Sequence, residues 1–355
     1  MIAVVTTCLD DDDVARFVIE PERSPWRTAR APHVADCDAC RVRVALAMID
    51  LEEDGPAPDG TLTEDPAAAD PRGFRWAEGD VLGGYVLLEE LGRGGMGVVF
   101  AARERETGAE RALKLLFMPD AKGARRLLRE ARAMHIDHPA IVPVVDLLHD
   151  VDVAPVLVMP RLRGSTLALR LGAGARPDLP GAGRIVARLL EALDAIHRAG
   201  AVHRDVKPAN VFLEDSGAVR LLDFGLVWID PALTPEETRL TTTASIVGTP
   251  RYLAPEVAHG ARATARSDLW GAGHVAFELL TGERAFRVRH SGGVLRELAT
   301  AEPMPRADER SPHVPRAIAD VVAALLAKDP GDRPASAGAA LARWHAAFAG
   351  ERIAV

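Results

Sequence analysis

The chain has 355 residues, 48% of them hydrophobic, with a formal net charge of −8. That length suggests about two domains with ample material for a core, and the acidic balance argues against a nucleic-acid binder that works by neutralising phosphates. No run approaches the roughly 18 uncharged apolar residues needed to cross a bilayer, the start MIAVVTTCLDDDD turns acidic instead of basic, and three cysteines are too few for a disulfide framework, so a protein of the reducing cytoplasm is expected.

Residues 10–50 read as helical. Asp10 to Asp13 favour a helix start before VARFVIE, and a second helical run, VADCDACRVRVALAMIDLEE, ends near Glu53. Within it, HVADCDAC holds two of the three cysteines. His33, Cys37 and Cys40 would form one stripe on a continuous helix, and Cys8 is the only cysteine left as a fourth ligand for a tetrahedral ion. The alternatives at this stage are a metal clamp, a redox pair, or small buried cysteines on a packed helix face. A module of about 50 residues is short of core, and such modules commonly need a staple, which favours the metal. Residues 53–78 are rich in Pro, Gly, Asp and Ala and read as a solvated linker.

From Tyr85 the pattern becomes strand-like. Gly92-Arg93-Gly94-Gly95-Met96-Gly97-Val98-Val99 fits G-x-G-x-x-G-x-V, a turn whose missing Cβ atoms let backbone approach phosphate oxygens. Alone it is weak, because ordinary turns and dinucleotide folds share the spacing. Strand-like residues flank it on both sides here, whereas a dinucleotide fingerprint opens a helix. Ala112-Leu113-Lys114 follows on the next strand-like run. Lysine is scarce, occurring only at Lys114, Lys122, Lys207 and Lys328. Lys114 is either a snorkelling surface residue or a phosphate-binding lysine paired with a helical carboxylate, for which RRLLREARAM offers Glu130. Helical patterns dominate after about residue 180. His203-Arg204-Asp205-Val206-Lys207-Pro208-Ala209-Asn210 and then Asp223-Phe224-Gly225 supply two carboxylates and an amide at a spacing suited to phosphoryl transfer from a metal–nucleotide complex.

With these motifs in order, residues from about 83 to 347 resemble eukaryotic-type (Hanks-type) protein kinases, and GRGGMGVVF and HRDVKPANVF are especially similar to bacterial members. The resemblance implies an α+β, two-lobed kinase fold over residues 79–350, with a small β-rich lobe and a larger helical lobe clamping ATP and Mg2+. Carried over, Lys114 would contact the α- and β-phosphates and pair with Glu130. Asp205 would be the catalytic base, Asn210 and Asp223 the Mg2+ ligands, and Lys207 a contact for the transferring phosphoryl group. Leu91, Gly92, Gly94, Gly97 and Val99 would cover the nucleotide, with Ala112 behind, Leu213 beneath, Met159 as gatekeeper and the Leu162 N–H as adenine donor. Pro160 departs from the usual acidic residue. Glu256 of Ala254-Pro255-Glu256, Asp268 and Arg333 would be structural, Glu256 and Arg333 forming an internal ion pair.

Lys207, two residues after Asp205, and Thr249 of GTPRYLAPE imply serine/threonine rather than tyrosine specificity. Aminoglycoside-type small-molecule kinases share an Asp–Asn loop but lack the APE segment and this glycine loop. Arg204 could order the loop between Asp223 and Glu256 by pairing with a phosphate on Thr241, Thr242, Thr243 or Ser245.

Residues 8–50 also resemble the zinc-binding helical domain of anti-sigma factors, with motif H-x3-C-x2-C and an upstream fourth ligand. That implies structural Zn2+ on Cys8, His33, Cys37 and Cys40 in a docking or sensing module (residues 1–52). The PERSPWRTARAP stretch departs from that family's wording, where a helical hairpin turn is expected. Expected partners are protein substrates, a regulatory protein on the N-terminal module, and a transient second copy for autophosphorylation in trans. The competing reading is a catalytically weak kinase-fold scaffold acting through its zinc module in transcriptional signalling.

Overall fold

The computed structural model describes Leu9, Asp13, Arg16 and residues 24–37, 40, 76–94, 97–116, 136–148, 156–222, 250–286, 291–300 and 302–351. Several expectations lie outside these residues: Cys8, most of the linker, Gly95, Met96, Glu130, Asp223-Phe224-Gly225, Thr241 to Ser245 and Thr249.

The strand-like region forms a six-stranded antiparallel sheet in the order β1-β2-β3-β4-β6-β5. Its strands are β1 (Val81–Leu82), β2 (Tyr85–Gly94), β3 (Gly97–Glu104), β4 (Glu110–Leu116), β5 (Asp146–Leu148) and β6 (Val156–Pro160). The period of two divides its residues between two faces. Leu87, Val98, Phe100, Leu113, Leu115, Val156 and Val158 build an apolar cluster on one side, and Trp76 packs against it. Register places Lys114 opposite Val99 and Leu157, and Ala112 opposite Met159, so the other face carries Val99, Ala112, Lys114 and Met159 together. At the β2–β3 turn a Cβ on Gly97 would lie 2.1 Å from the Leu115 carbonyl oxygen at φ +152°, so only glycine fits.

The remainder is largely helical. It comprises α2 (Leu167–Gly172), α3 (Leu179–Arg198), α4 (Pro255–Ala258), α5 (Ala265–Thr281), α6 (Ser291–Ala299), α7 (Ala307–Arg310), α8 (Arg316–Leu325) and α9 (Ala337–Gly350). A short sheet joins β7 (Gly164–Thr166), β8 (Val211–Glu214) and β9 (Val219–Leu221). Helix α3 begins where Asp178 accepts from the Gly181 N–H at 2.8 Å, and its Ile185, Leu189, Leu193 and Ile196 recur at helical spacing on the buried side. Helix α5 is buried almost all round and packs against α3 and α8. Among the described residues no helix is long and apolar enough to cross a membrane.

Near the N-terminus, α1 (Pro25–Asp36) differs from the expectation twice. A hairpin turn was expected across PERSPWRTARAP, but the helix starts inside it, because Ser24 caps the Arg27 N–H at 3.1 Å and Pro25 tolerates the first turn. A continuous helix through the cysteines was also expected. Instead the helix stops at Asp36, and Cys37 turns extended (φ −100°, ψ 108°) while its N–H still reaches the His33 carbonyl.

The large helical core contains a costly imidazole. His274 of α5 is stacked on Phe286 (5.2 Å between ring centres) and edge-on to Trp270 and Tyr252. Burial, reinforced by the Arg333 charge, pushes its pKa down from 6.5 to about 3, so the folded protein holds it neutral. The unfolded chain binds a proton here below pH 6.5 and the folded one does not. This group therefore removes stability as pH falls from 6.5 towards 3, by about 1.4 kcal/mol per pH unit. Denaturant unfolding of His274→Leu and the wild type between pH 7 and 4 should diverge by that slope; parallel losses would contradict this role.

Candidate functional site

The catalytic-loop motif lies between α3 and β8, and its shape is imposed by α5. The loop turns at Arg204, the only non-glycine among the described residues with positive φ (68°). That conformation aims two successive N–H groups, of His203 and Arg204, at the Asp268 carboxylate, each at 2.7 Å. Asp268 is 1% exposed and also bonds His197 Nε2 at 2.8 Å. His203 Nε2 lies 3.0 Å from the Leu222 carbonyl, fixing the loop to the residue before Asp223, and Nδ1 accepts from the Asp205 N–H at 3.3 Å. Helix α5 comes so near that a Cβ on Gly271 would sit 2.5 Å from the Val206 carbonyl oxygen.

On this support, Asp205, Lys207 and Asn210 meet. Lys207 Nζ is 2.9 Å from Asp205 Oδ2. Asn210 donates Nδ2–H to the Asp205 carbonyl at 2.7 Å and to Oδ2 at 2.8 Å, and its own carbonyl accepts from the Leu222 N–H at 2.8 Å. Both amide hydrogens are thus committed, and Asn210 Oδ1 accepts no hydrogen bond among the described residues. A carboxylate and an amide oxygen suited to a hard cation therefore stand side by side.

The sheet supplies the second group. Lys114 is 7% exposed in the middle of β4, on the face shared with Val99, Ala112 and Met159. Leu91 stands 47% exposed in β2 beside Gly92, which pairs with Val99. Leu213 is buried in β8, and Leu162 follows the end of β6 half-buried. Gly94 pairs with Gly97 across the turn. Glu130 and Asp223 lie outside the described residues.

Beyond the loop, the expected Glu256–Arg333 pair is present and bidentate, both bonds being 2.8 Å. Burial raises the Glu256 carboxyl, but the Arg333 bonds and charge outweigh it and hold the pKa below the usual range. Arg333 also donates to the Ala327, Arg266 and Lys328 carbonyls and lies 5.1 Å over the Trp270 ring. Tyr252 donates to Glu278 Oε1 at 2.8 Å; burial, then the Glu278 charge, raises the phenol, and burial raises the Glu278 carboxyl.

The roles of His197 and Glu278 escaped sequence reasoning. His197 precedes the motif by six residues, and only the fold brings it to Asp268. Because Asp268 satisfies two backbone N–H groups and an imidazole, Asp268→Ala is expected to lower unfolding free energy by about 3–5 kcal/mol, read from urea titration. A loss under about 1 kcal/mol would show that the loop keeps its shape without this carboxylate.

Comparison with known proteins agrees with this geometry. Residues 85–345 match the family described as protein kinase domain. The chain is 40% identical over 271 residues to the DNA damage-responsive serine/threonine-protein kinase RqkA of Deinococcus radiodurans, covering 73% of this chain and 39% of that protein. It is 33% identical to serine/threonine-protein kinase PrkC of Bacillus subtilis (77% and 42% covered) and 37% identical to serine/threonine-protein kinase PkaA of Streptomyces coelicolor (71% and 48%). The chain therefore spans less than half the length of these relatives. The crystal structure of Rad53 1-466 in complex with AMP-PNP superposes with a TM-score of 0.62 at 25% identity, covering 74% of this chain and 65% of that one. With its β-rich sheet, helical remainder and catalytic-loop motif, the chain belongs to the protein kinase domain family.

Proposed function

We propose that the protein is an ATP-dependent serine/threonine protein kinase. The observation that carries this reading is the Asp205–Lys207–Asn210 constellation, held in one conformation by Asp268. Asp205 accepts the proton of a substrate Ser or Thr hydroxyl as that oxygen bonds to the γ-phosphorus and the bond to the β–γ bridging oxygen breaks. Lys207, already beside Asp205, balances the phosphoryl charge. Lys114 holds the α- and β-phosphates, oriented by Glu130. Leu91, Gly92, Gly94, Gly97 and Val99 cover the nucleotide; Ala112 and Met159 back the adenine, whose edge meets the Leu162 N–H. Asn210 Oδ1 and Asp223 are the oxygen ligands for Mg2+, a cation that prefers such donors. When bound, Mg2+ neutralises charge on the phosphates.

Incubation of the purified protein with Mg-ATP, with phosphosites mapped by mass spectrometry, is expected to yield phosphoserine or phosphothreonine, including autophosphorylation among Thr241, Thr242, Thr243 and Ser245, whose phosphate would pair with Arg204. Asp205→Asn and Asp223→Ala should each lower transfer to a generic protein substrate by at least about a thousandfold with unchanged thermal unfolding. Wild-type rates in the Asp223→Ala protein would leave only a kinase-fold scaffold.

We also propose that the N-terminal residues hold a structural Zn2+ in a regulatory docking module. His33 Nε2, Cys37 Sγ and Cys40 Sγ lie within 4.8 Å of one another, and His33 Nε2 is 3.3 Å from Cys40 Sγ. Tetrahedral zinc with bonds of about 2.0 and 2.3 Å separates nitrogen and sulfur by roughly 3.5 Å, so the donors fit. The Leu9 N–H donates to Cys40 Sγ at 3.2 Å, a bond that favours a thiolate, and the next residue upstream in sequence is Cys8, the fourth candidate. Metal analysis should find about one zinc per chain, and Cys37→Ser should lose it and render residues 8–50 protease-sensitive without weakening Mg-ATP binding. A zinc-free wild type that resists protease over residues 8–50 would reduce the cluster to a packed corner.

A further inference from the structure

Behind the β8–β9 hairpin, α2, α3 and the segment at Pro139 enclose an open groove of about 820 Å3. None of the catalytic-loop residues 203–210 lines it. Five arginines do: Arg170, Arg176, Arg184, Arg188 and Arg220. The only carboxylates lining it are Glu191 and Glu214. These two are already used, Glu191 by Arg188 and Glu214 by Arg220, each at 2.6 Å. Arg170 donates to Ser165 Oγ and the Leu213 carbonyl, and Arg176 to the Thr281 carbonyl; neither meets a carboxylate among the described residues. The Arg184 side chain makes no hydrogen bond or ion pair among the described residues. The groove thus has an excess of three positive charges in a chain whose net charge is −8.

Apolar side chains line it as well, Leu167, Ile185, Leu213 and Val219 among them. Arginine suits such a place, because its planar fork grips carboxylates bidentately and its stem covers apolar surface. A bare polyanion is disfavoured: nucleic acid would bring a dense phosphate array against Glu191 and Glu214 and leave the apolar lining uncovered. A peptide that alternates carboxylates with aliphatic side chains meets both features. Arg184 and Arg188, one turn apart on α3, provide a ladder for successive acidic residues.

We propose that this groove docks an acidic, leucine-bearing segment of the protein substrates, away from the residue that is phosphorylated. The identity of the partner as a substrate rests on the kinase reading; the binding itself does not. Electrostatic complementarity of this kind raises local substrate concentration and so lowers KM without touching the transferring groups.

Fluorescence anisotropy with the full chain and a labelled Glu/Leu peptide, alongside a Lys/Leu counterpart, tests it. The acidic peptide should bind. Arg184→Glu/Arg188→Glu should weaken it at least about tenfold, and the milder Arg184→Gln should weaken it measurably, both with unchanged thermal unfolding, because the Arg188–Glu191 pair is exposed. Asp205→Asn should bind like the wild type, which separates docking from catalysis. Fusing the same Glu/Leu segment to a generic substrate should lower its KM about tenfold for the wild type and not for the double variant, with kcat equal. Equal peptide binding by wild type and double variant, preference for the Lys/Leu peptide, or tighter binding of single-stranded DNA or phosphatidylserine vesicles through the same arginines would each overturn the proposal.

Discussion

The catalytic loop depends on one buried carboxylate. A residue with positive φ and a side chain, here Arg204, is disfavoured by roughly 1–3 kcal/mol and persists only when its surroundings dictate it. Asp268 supplies that dictation by accepting from two consecutive amides that no helix or strand could satisfy. Since Asp268 sits in the first turn of α5, and α5 is the most buried helix of the core, the loop inherits the rigidity of the whole helical assembly. Asp205 and Asn210 are then fixed by geometry, and under the proposed kinase reading such preorganisation is where electrostatic catalysis gains most.

The same helix organises the other side of the assembly. Ser267, next to Asp268, donates to Glu256 Oε1, and Glu256 is gripped by Arg333. A buried ion pair contributes little when intact and costs several kcal/mol when one partner is removed. Its worth here lies in register. Arg333 ties together the Ala327, Lys328 and Arg266 carbonyls, so the chain after α8 can meet α5 in one way only. One face of α5 thus fixes the loop that carries the proposed base, and the adjacent residue fixes the segment that follows Thr249 in sequence.

The motifs were legible in the sequence because each demands a residue type whatever surrounds it: glycine at the tight β2–β3 turn, and acid, lysine and amide at fixed offsets in the loop. Short apolar runs punctuated by glycine also announced the sheet, and in the fold Val98, Phe100, Leu113 and Leu115 fall on one face at a period of two. The partners of Asp268 were not legible, because His197 and Asp268 are 71 residues apart and meet only through helix packing. Nor was the end of α1. Aspartate and cysteine resist helix only weakly, so the break at Cys37 leaves no local signal, yet it brings the two sulfurs and the imidazole nitrogen together more closely than a straight helical stripe would.

The scarcity of lysine sharpens this logic. Arginine does the planar, two-pronged work, as in Arg333 on Glu256 and Arg306 on Asp308. Among the described residues, lysine stands where a compact ammonium is needed. Lys207 sits beside Asp205, Lys114 is buried mid-strand, and Lys328 closes the end of α6 by donating to the Glu297 and Thr300 carbonyls and to Thr300 Oγ1. A guanidinium has no means of placing three donors around one atom at that helix end, and its width would spread the bonds that Lys328 focuses. Lys328 is also partly desolvated, and burial lowers its pKa against the pull of Glu297 and Glu302. Among the described residues, a sequence that uses arginine almost everywhere therefore places lysine where a compact ammonium fits better than a guanidinium, and the Arg-lined groove behind β8 and β9 belongs to the opposite class, where the proposed acidic partner would meet planar forks.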